Sequence, residues 1–425
     1  MELFDNDALK ENEQRAIIVG VSLKGEPIED SMEELANLVE AAGARVMDQL
    51  VQNRDRIDVV FFIGKGKVEE IGNVAEFHNA NIVVFNDELS GAQIRNIEAA
   101  LDLKVIDRTA LILDIFALRA QSGIAKLQVE LAQLRYSLPR LIGLGKSLSR
   151  IGGGIGTRGP GEQKLELDRR RINQRMTDIR QQLKQAEKDR DTQRNMRRKN
   201  ELPLVALVGY TNAGKSTLMN KILTIYGAEG HQVFVKDMLF ATLDTSVRKI
   251  TLDKNRIFLL SDTVGFVSKL PHGLVEAFKA TLEEVVEADV LIHVADGTNE
   301  LFERQISVTR KVLEEIGAGD KEEVLVLNKM DLPSTGHLLA EEFIPISAKT
   351  GMGLDVLISR LDEKIFGALK AVDFLIPYSD GKVLGDILDK CEMIVMTHEA
   401  EGTVIKAMTD PAIRNKYARF IIEVL

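Results

Sequence analysis

Leu202–Thr217 reads LPLVALVGYTNAGKST, and this stretch decides the fold of the segment around it. Leu204–Val208 is an unbroken apolar, strand-forming run, and Gly209–Ser216 has the spacing G-x-x-x-x-G-K-S. A strand that delivers such a loop to a helix N-terminus makes a cradle for phosphate, because backbone N–H groups and the positive end of the helix face the anion. Gly209, Tyr210, Thr211, Asn212, Ala213, Gly214, Lys215, Ser216 and Thr217 are therefore expected to line the phosphates of a nucleotide. Lys215 is the expected catalytic charge on the β- and γ-phosphates, and the Ser216 hydroxyl is an expected Mg²⁺ ligand.

The residues downstream choose the base. RIFLLSDTVGF places Asp262 at the end of a predicted strand, where it reaches toward Mg²⁺, and puts Gly265 three residues on, with its N–H as the expected γ-phosphate sensor. LVLNKMD (Leu325–Asp331) gives N-K-x-D after another apolar strand. The Asp331 carboxylate can accept from both N1–H and the 2-amino group of guanine, and adenine offers neither. Asn328 is expected to brace the loops and the Lys329 stem to cover a face of the base. IPISAKTG supplies Ser347, Ala348 and Lys349, with the Ala348 N–H expected at guanine O6. Between Gly227 and Thr245 lies the expected first switch, and Thr242 is chosen as its catalytic and Mg²⁺-binding threonine; a plain surface threonine is the competing reading, with Asp244 and Thr245 beside it.

Upstream, Pro203 stops any helix and marks a domain boundary. The formal net charge of the 425-residue chain is -10, but Leu131–Asn200 carries a net +11. One block of an acidic protein is thus strongly basic. Within it, Leu127, Leu131, Leu134 and Leu138, then Ile172, Met176, Ile179, Leu183 and Ala186, recur at alternating spacings of three and four. That periodicity predicts two packed antiparallel helices. Between them, eight of the twenty residues Ile142–Gly161 are glycine, and no acid occurs between Glu130 and Glu162, while Arg135, Arg140, Lys146, Arg150 and Arg158 fall in that interval. Two readings compete: a solvated loop, or a flexible basic finger that follows an RNA backbone.

The first hundred residues alternate strand and helix patterns, which predicts a mostly parallel sheet. Strands are expected at AIIVGVSL, ARVMDQLVQ, VVFFIG (Val59–Gly64), IVVFN and KVID. The GKGK stretch (Gly64–Lys67) lacks the spacing of a phosphate loop and reads as a turn. One cysteine, Cys391, excludes a disulfide within the chain and fits a reducing cytosol. The N-terminus lacks the pattern of a signal peptide, and no run of about 18 apolar residues predicts a membrane span. His293, in VLIHVAD, reads as a satisfied strand residue, and the scattered histidines give no zinc pattern.

The phosphate loop GYTNAGKS, the switch stretch FATLD, DTVGF and NKMD resemble the Obg–HflX superfamily of translation-factor-class GTPases, and GGIGTRGPGE (Gly153–Glu162) resembles the HflX family in particular. The resemblance covers the chain from its first strand to Ala368. It implies an α/β multidomain protein: an N-terminal α/β domain over residues 1–108, a basic helical hairpin over 109–201, a Ras-like P-loop GTPase domain over 202–368 and a small C-terminal α/β domain over 369–425. It further implies a monomeric GTPase, cytoplasmic or peripheral to a membrane, that uses Mg²⁺, binds the large ribosomal subunit and the 70S ribosome through rRNA, and splits ribosomes under stress. A GTPase of RNA modification or signalling, and a nucleotide-switched RNA-binding assembly factor, stay open. Some members are described as hydrolysing ATP, and nothing legible here identifies an ATP site. Phe266 stands where Ras-type GTPases carry a water-orienting Gln, a replacement that HflX-type proteins share; slow basal hydrolysis should follow. Asn212 has two readings, a K⁺ ligand beside the phosphates or a brace of the loop.

Overall fold

The computed structural model describes residues 14–141, 160–199, 202–227, 246–253, 256–269, 282–333 and 343–422. The chain divides into two compact units, the first comprising residues 1–196, 236–244 and 264–283, and the second residues 197–235, 245–263 and 284–425.

The first unit opens with β1 (Arg15–Leu23), α1 (Glu29–Ala41), β2 (Arg45–Arg54), α2 (Lys65–Phe77), β3 (Ile82–Phe85), α3 (Gly91–Leu101) and β4 (Lys104–Asp107). The strands form a parallel sheet in the order β2-β1-β3-β4. Strand β1 is buried on both faces, as its unbroken apolar run requires. Ala16 and Ile18 join a cluster with Leu35, Leu38, Ile112 and Phe116, while Ile17 and Val19 join one with Ile71, Phe85 and Ile97.

The expected strand VVFFIG does not form. The Asp58 carboxylate accepts from the Val60 and Phe61 N–H groups, both at 2.8 Å, and folds the chain into a turn. Phe62 then takes a left-handed φ of 68° and buries its ring edge-on to Phe85. A carboxylate that captures nearby N–H groups competes directly with a strand ladder.

Helices α4 (Arg108–Arg119), α5 (Gly123–Leu141) and α6 (Pro160–Lys199) follow. Leu131, Met176 and Ile179 form a buried seam between α5 and α6, with Leu127, Leu134, Leu138, Ile172 and Leu183 packed around it. These are the positions that the spacing singles out. Arg175 clasps Glu130 through two hydrogen bonds of 2.6 and 2.7 Å beside the seam. The Gly/Arg-rich stretch 142–159, including Lys146, Arg150 and Arg158, lies outside the described residues.

The second unit contains β5 (Leu204–Gly209), α7 (Lys215–Tyr226), β6 (Ser246–Asp253), β7 (Arg256–Asp262), β8 (Val290–Asp296), α8 (Phe302–Ile316), β9 (Glu322–Asn328), β10 (Phe343–Pro345) and α9 (Leu354–Phe366). Its six-stranded sheet runs β10-β9-β8-β5-β7-β6, with β6 antiparallel to β7 and the other pairs parallel. The apolar runs of β5, β8 and β9 supply the centre, as buried parallel strands should. The chain continues through β11 (Lys370–Ile376), α10 (Gly381–Lys390), β12 (Glu392–Glu399), β13 (Gly402–Thr409), α11 (Pro411–Lys416) and β14 (Ile421–Ile422). These strands form an antiparallel sheet in the order β12-β13-β11-β14 around Phe374, Ile376, Ile387, Ile405 and Phe420. Cys391 lies half-buried there, and burial pushes its thiol up to about 11, far from a reactive thiolate. Among the described residues no helix is long and apolar enough to cross a membrane.

Candidate nucleotide site

Strand β5 ends at the phosphate loop, and two glycines make that loop possible. Gly209 has φ 143°, and a Cβ there would lie 2.2 Å from the Val294 carbonyl oxygen. Gly214 has φ 93°, and a Cβ there would lie 2.2 Å from Asn328 Nδ2. Any larger residue would collide with the neighbouring strand or with the Asn328 brace. Asn212, exposed at the loop tip, adopts a left-handed φ of 61°, a conformation Asn tolerates better than most residues. Thr211 is buried, and its hydroxyl has no hydrogen-bond partner among the described residues. Tyr210 and Ala213 are buried beside it.

Lys215 begins α7 and is 6% exposed. Its ammonium donates to the Gly209 and Tyr210 carbonyls at 3.0 and 2.8 Å, so the loop curls around a positive charge. Burial pushes the Lys215 pKa down to about 8, with the Asp262 carboxylate acting in the opposite direction. Next to it, Ser216 Oγ donates to Asp262 Oδ2 at 2.6 Å. Two oxygen donors separated by 46 residues in the chain thus meet at the end of the sheet. Hard oxygen donors of this kind suit Mg²⁺. Thr217 follows in the first turn of α7, half-buried.

The base-binding elements are braced to the same loop. Asn328 Nδ2 donates to the Ala213 carbonyl at 2.8 Å, and Asn328 Oδ1 accepts from the Ala348 N–H at 2.8 Å. One buried amide therefore ties the phosphate loop, the end of β9 and the Ser347–Lys349 loop together. The Ala348 N–H expected at guanine O6 is engaged by Asn328 in this structure, so an approach to the base requires that bond to be shared or released. Lys329 has φ 65° and pairs with Asp296 at 2.7 Å. Asp331 and Lys349 are exposed, as groups that await a base can be. Ser347 is fully buried; its hydroxyl accepts from the Thr350 N–H at 3.1 Å and shapes the loop.

Gly265 and Phe266 are both buried, and Phe266 is 2% exposed. Thr242, with residues 228–245, lies outside the described residues. His293 is 1% exposed and hydrogen-bonds Glu323, so it is the satisfied strand residue expected. Sequence reasoning does not single out Asp296, which pairs with Lys329 and accepts from both the N–H and the hydroxyl of Thr298. Its signal is nonetheless present: an acid at the C-terminal end of VLIHVAD, on the strand next to β5. Thr263 escapes notice too; its hydroxyl donates to the Leu207 carbonyl and fixes the chain just past Asp262.

Three family profiles match the chain: "GTP-binding GTPase N-terminal" over residues 29–117, "GTP-binding GTPase Middle Region" over 119–197 and "50S ribosome-binding GTPase" over 204–329. The GTPase HflX of Caldanaerobacter subterraneus subsp. tengcongensis is 46% identical over 424 residues, 99% of this chain and 97% of the relative. The GTPase HflX of Escherichia coli strain K12 is 39% identical over 384 residues, 87% of each chain. A crystal structure of a GTP-binding protein from the archaeon Sulfolobus solfataricus in complex with GDP is 26% identical, with a TM-score of 0.43, and aligns with 83% of this chain and 99% of that one.

Proposed function

Because this chain belongs to the HflX family of GTPases and hydrolyses GTP, we propose that it does so on the large ribosomal subunit and uses the cycle to separate ribosomal subunits under stress. The observation that carries the ribosome reading is the net +11 of Leu131–Asn200 inside an otherwise acidic protein, with the described helices α5 and α6 packed together along the buried Leu131–Met176–Ile179 seam. A basic segment brings positive charge to a polyanionic surface without relying on the charge of the whole molecule.

The same reading gives each motif residue a role at the nucleotide. Lys215, desolvated and aimed along the loop, neutralises the β- and γ-phosphates, and the Tyr210–Ser216 N–H groups bind the phosphate oxygens. Ser216 and Asp262 would hold Mg²⁺, with Thr242 joining from the first switch; the ion supplies charge neutralisation of the phosphates when bound. Gly265 offers its N–H to the γ-phosphate. Asp331 selects guanine, and Asn328 fixes its loop to the phosphate loop. Asn212, exposed and left-handed at the loop tip, is proposed as a K⁺ ligand, with a brace of the loop as the alternative. Phe266 contributes no hydrogen bond to the attacking water, so the isolated protein hydrolyses slowly and the partner completes the site.

Multiple-turnover hydrolysis of GTP tests this reading. Purified 50S and 70S particles should raise kcat by at least about tenfold, equivalent to ~1.4 kcal/mol of barrier. Light scattering of 70S particles should fall as subunits part. An unchanged kcat with both particles would remove the ribosome from the proposal and leave a GTPase of RNA modification or signalling.

A further inference from the structure

Strand β12 reads EMIVMTHE, and each of its eight residues is exposed. It is one edge of the antiparallel sheet β12-β13-β11-β14, so one row of its backbone N–H and C=O groups faces outward. Met393, Ile394, Val395 and Met396 are 47%, 48%, 51% and 40% exposed, four large apolar residues in succession. Neither face of this strand is covered, whereas Thr403, Ile405 and Ala407 of the neighbouring β13 are buried. Edge strands that face water are commonly guarded by lysine or proline, and β12 contains neither.

The edge is also ordered. From Val395 to Glu399 it pairs with β13 in one continuous register, with Val395 opposite Lys406 and Glu399 opposite Gly402. The Tyr378 hydroxyl donates to the Glu399 carbonyl at 2.8 Å, and His398 Nδ1 lies 3.1 Å from Thr403 Oγ1. A bulge between Met393 and Val395 interrupts the ladder at Ile394 and limits where a guest strand can pair. A strand added to such an edge gains main-chain hydrogen bonds while the host has little left to order.

Charge selects the guest. Glu392 and Glu399 close the two ends of β12, and the exposed Glu401 follows in the turn to β13. Acids at both ends repel the phosphates of a nucleic acid. They also disfavour a second copy: β12 paired end to end with itself, antiparallel, sets Glu392 against Glu399 at both ends. We infer that β12 is a docking edge for an extended protein segment of the large ribosomal subunit, apolar at its centre and flanked by lysine or arginine. Lysine and arginine are what proteins use to sit on a nucleic acid, so basic segments abound on such a particle. This inference rests on the ribosome reading above.

The test uses the full-length protein, purified 50S subunits and a non-hydrolysable GTP analogue. The double variant Met393→Thr, Val395→Thr keeps strand-forming side chains at exposed positions and removes apolar surface. It should weaken 50S binding by about fivefold to tenfold and leave GTP affinity unchanged. The double variant Glu392→Gln, Glu399→Gln should weaken 50S binding by about threefold. Tighter binding by the second variant would mean that RNA lies against the edge, and would overturn the inference. With Val395 replaced by p-benzoylphenylalanine, irradiation of the complex should link β12 to a ribosomal protein; a link to rRNA alone also overturns it. Light scattering should find the wild type monomeric, and a dimer dispersed by Val395→Thr would give the edge to a second copy instead. Wild-type protein that fails to bind 50S removes the ribosome reading and this occupant with it. Wild-type protein that binds, with both double variants binding as tightly, removes the docking edge alone.

Discussion

Lys215 illustrates how much of the site is set by single residues. Burial pushes its pKa from the usual 10.5 down to about 8, so the free protein loses that charge as pH rises through about 8. The unfolded chain binds more protons between those values, so the nucleotide-free protein gains stability from this group as pH rises across that window. Nucleotide binding has the opposite sign. Phosphates favour the ammonium, so GDP and GTP should bind with proton uptake above about pH 8 and more weakly as pH rises from about 7 to about 9.5. Titration calorimetry in buffers of different ionisation enthalpy checks this, and affinity that is flat across the range would show that Lys215 stays charged in the free loop. Asp331 is exposed and stands outside the Asn328 brace. Asp331→Asn should cost about 1.5–3 kcal/mol of guanine-nucleotide affinity and raise affinity for xanthine nucleotides, since an amide can donate to the 2-oxo group. A variant with unaltered base preference in fluorescent-nucleotide competition would refute the role given to Asp331. Most of these residues are legible in the sequence because the spacing of a phosphate loop or an N-K-x-D motif is itself the geometry. The Lys329–Asp296 pair and the bond from the Ala348 N–H to Asn328 are not, because each depends on which strands become neighbours.

At the scale of elements, periodicity carries the reading where one face is buried and fails where local hydrogen bonding takes over. The α5–α6 seam is legible from spacing alone, since its apolar residues recur about one turn apart on each helix. Ile179 is fully buried in that seam, whereas Arg175 and Glu130 are 45% and 38% exposed. Ile179→Ala should therefore destabilise the protein by about 2–4 kcal/mol, and Arg175→Ala by less than about 1 kcal/mol. Chemical denaturation monitored by helix content checks the pair, and an equal or reversed order would mean the hairpin is held by charge. Helix α6 runs on to Lys199 through DRDTQRNMRRK, a stretch that reads from composition only as the polar end of the hairpin. Its Arg, Lys and Gln residues are good helix formers without any apolar face to advertise it. VVFFIG misleads in the other direction: its apolar run suits a strand, and the Asp58 carboxylate turns it.

For the whole molecule, composition and motif separate an α/β segment, a basic helical stretch and a nucleotide-binding segment. They do not disclose that residues 264–269, beginning two positions past Asp262, belong to the first compact unit. DTVGFVSK is apolar and polar in the same order whichever core receives it, and only the Glu34, Asp87 and Arg108 partners reveal the answer. The charge asymmetry, by contrast, needs no structure to be seen, and it sets the central expectation. The most direct measurement is cosedimentation with 50S and 70S particles across a range of salt, comparing a non-hydrolysable GTP analogue with GDP, for the wild-type chain and the double variant Arg150→Ala, Arg158→Ala. The account predicts that the wild type pellets with the large subunit more strongly with the GTP analogue. It also predicts that the double variant binds more weakly at equal GTP affinity, with its log–log salt slope flattened by about 0.7–0.9 for each phosphate it no longer neutralises. Wild-type protein that stays in the supernatant with either nucleotide, or a double variant that pellets as well as wild type at every salt concentration, would contradict it.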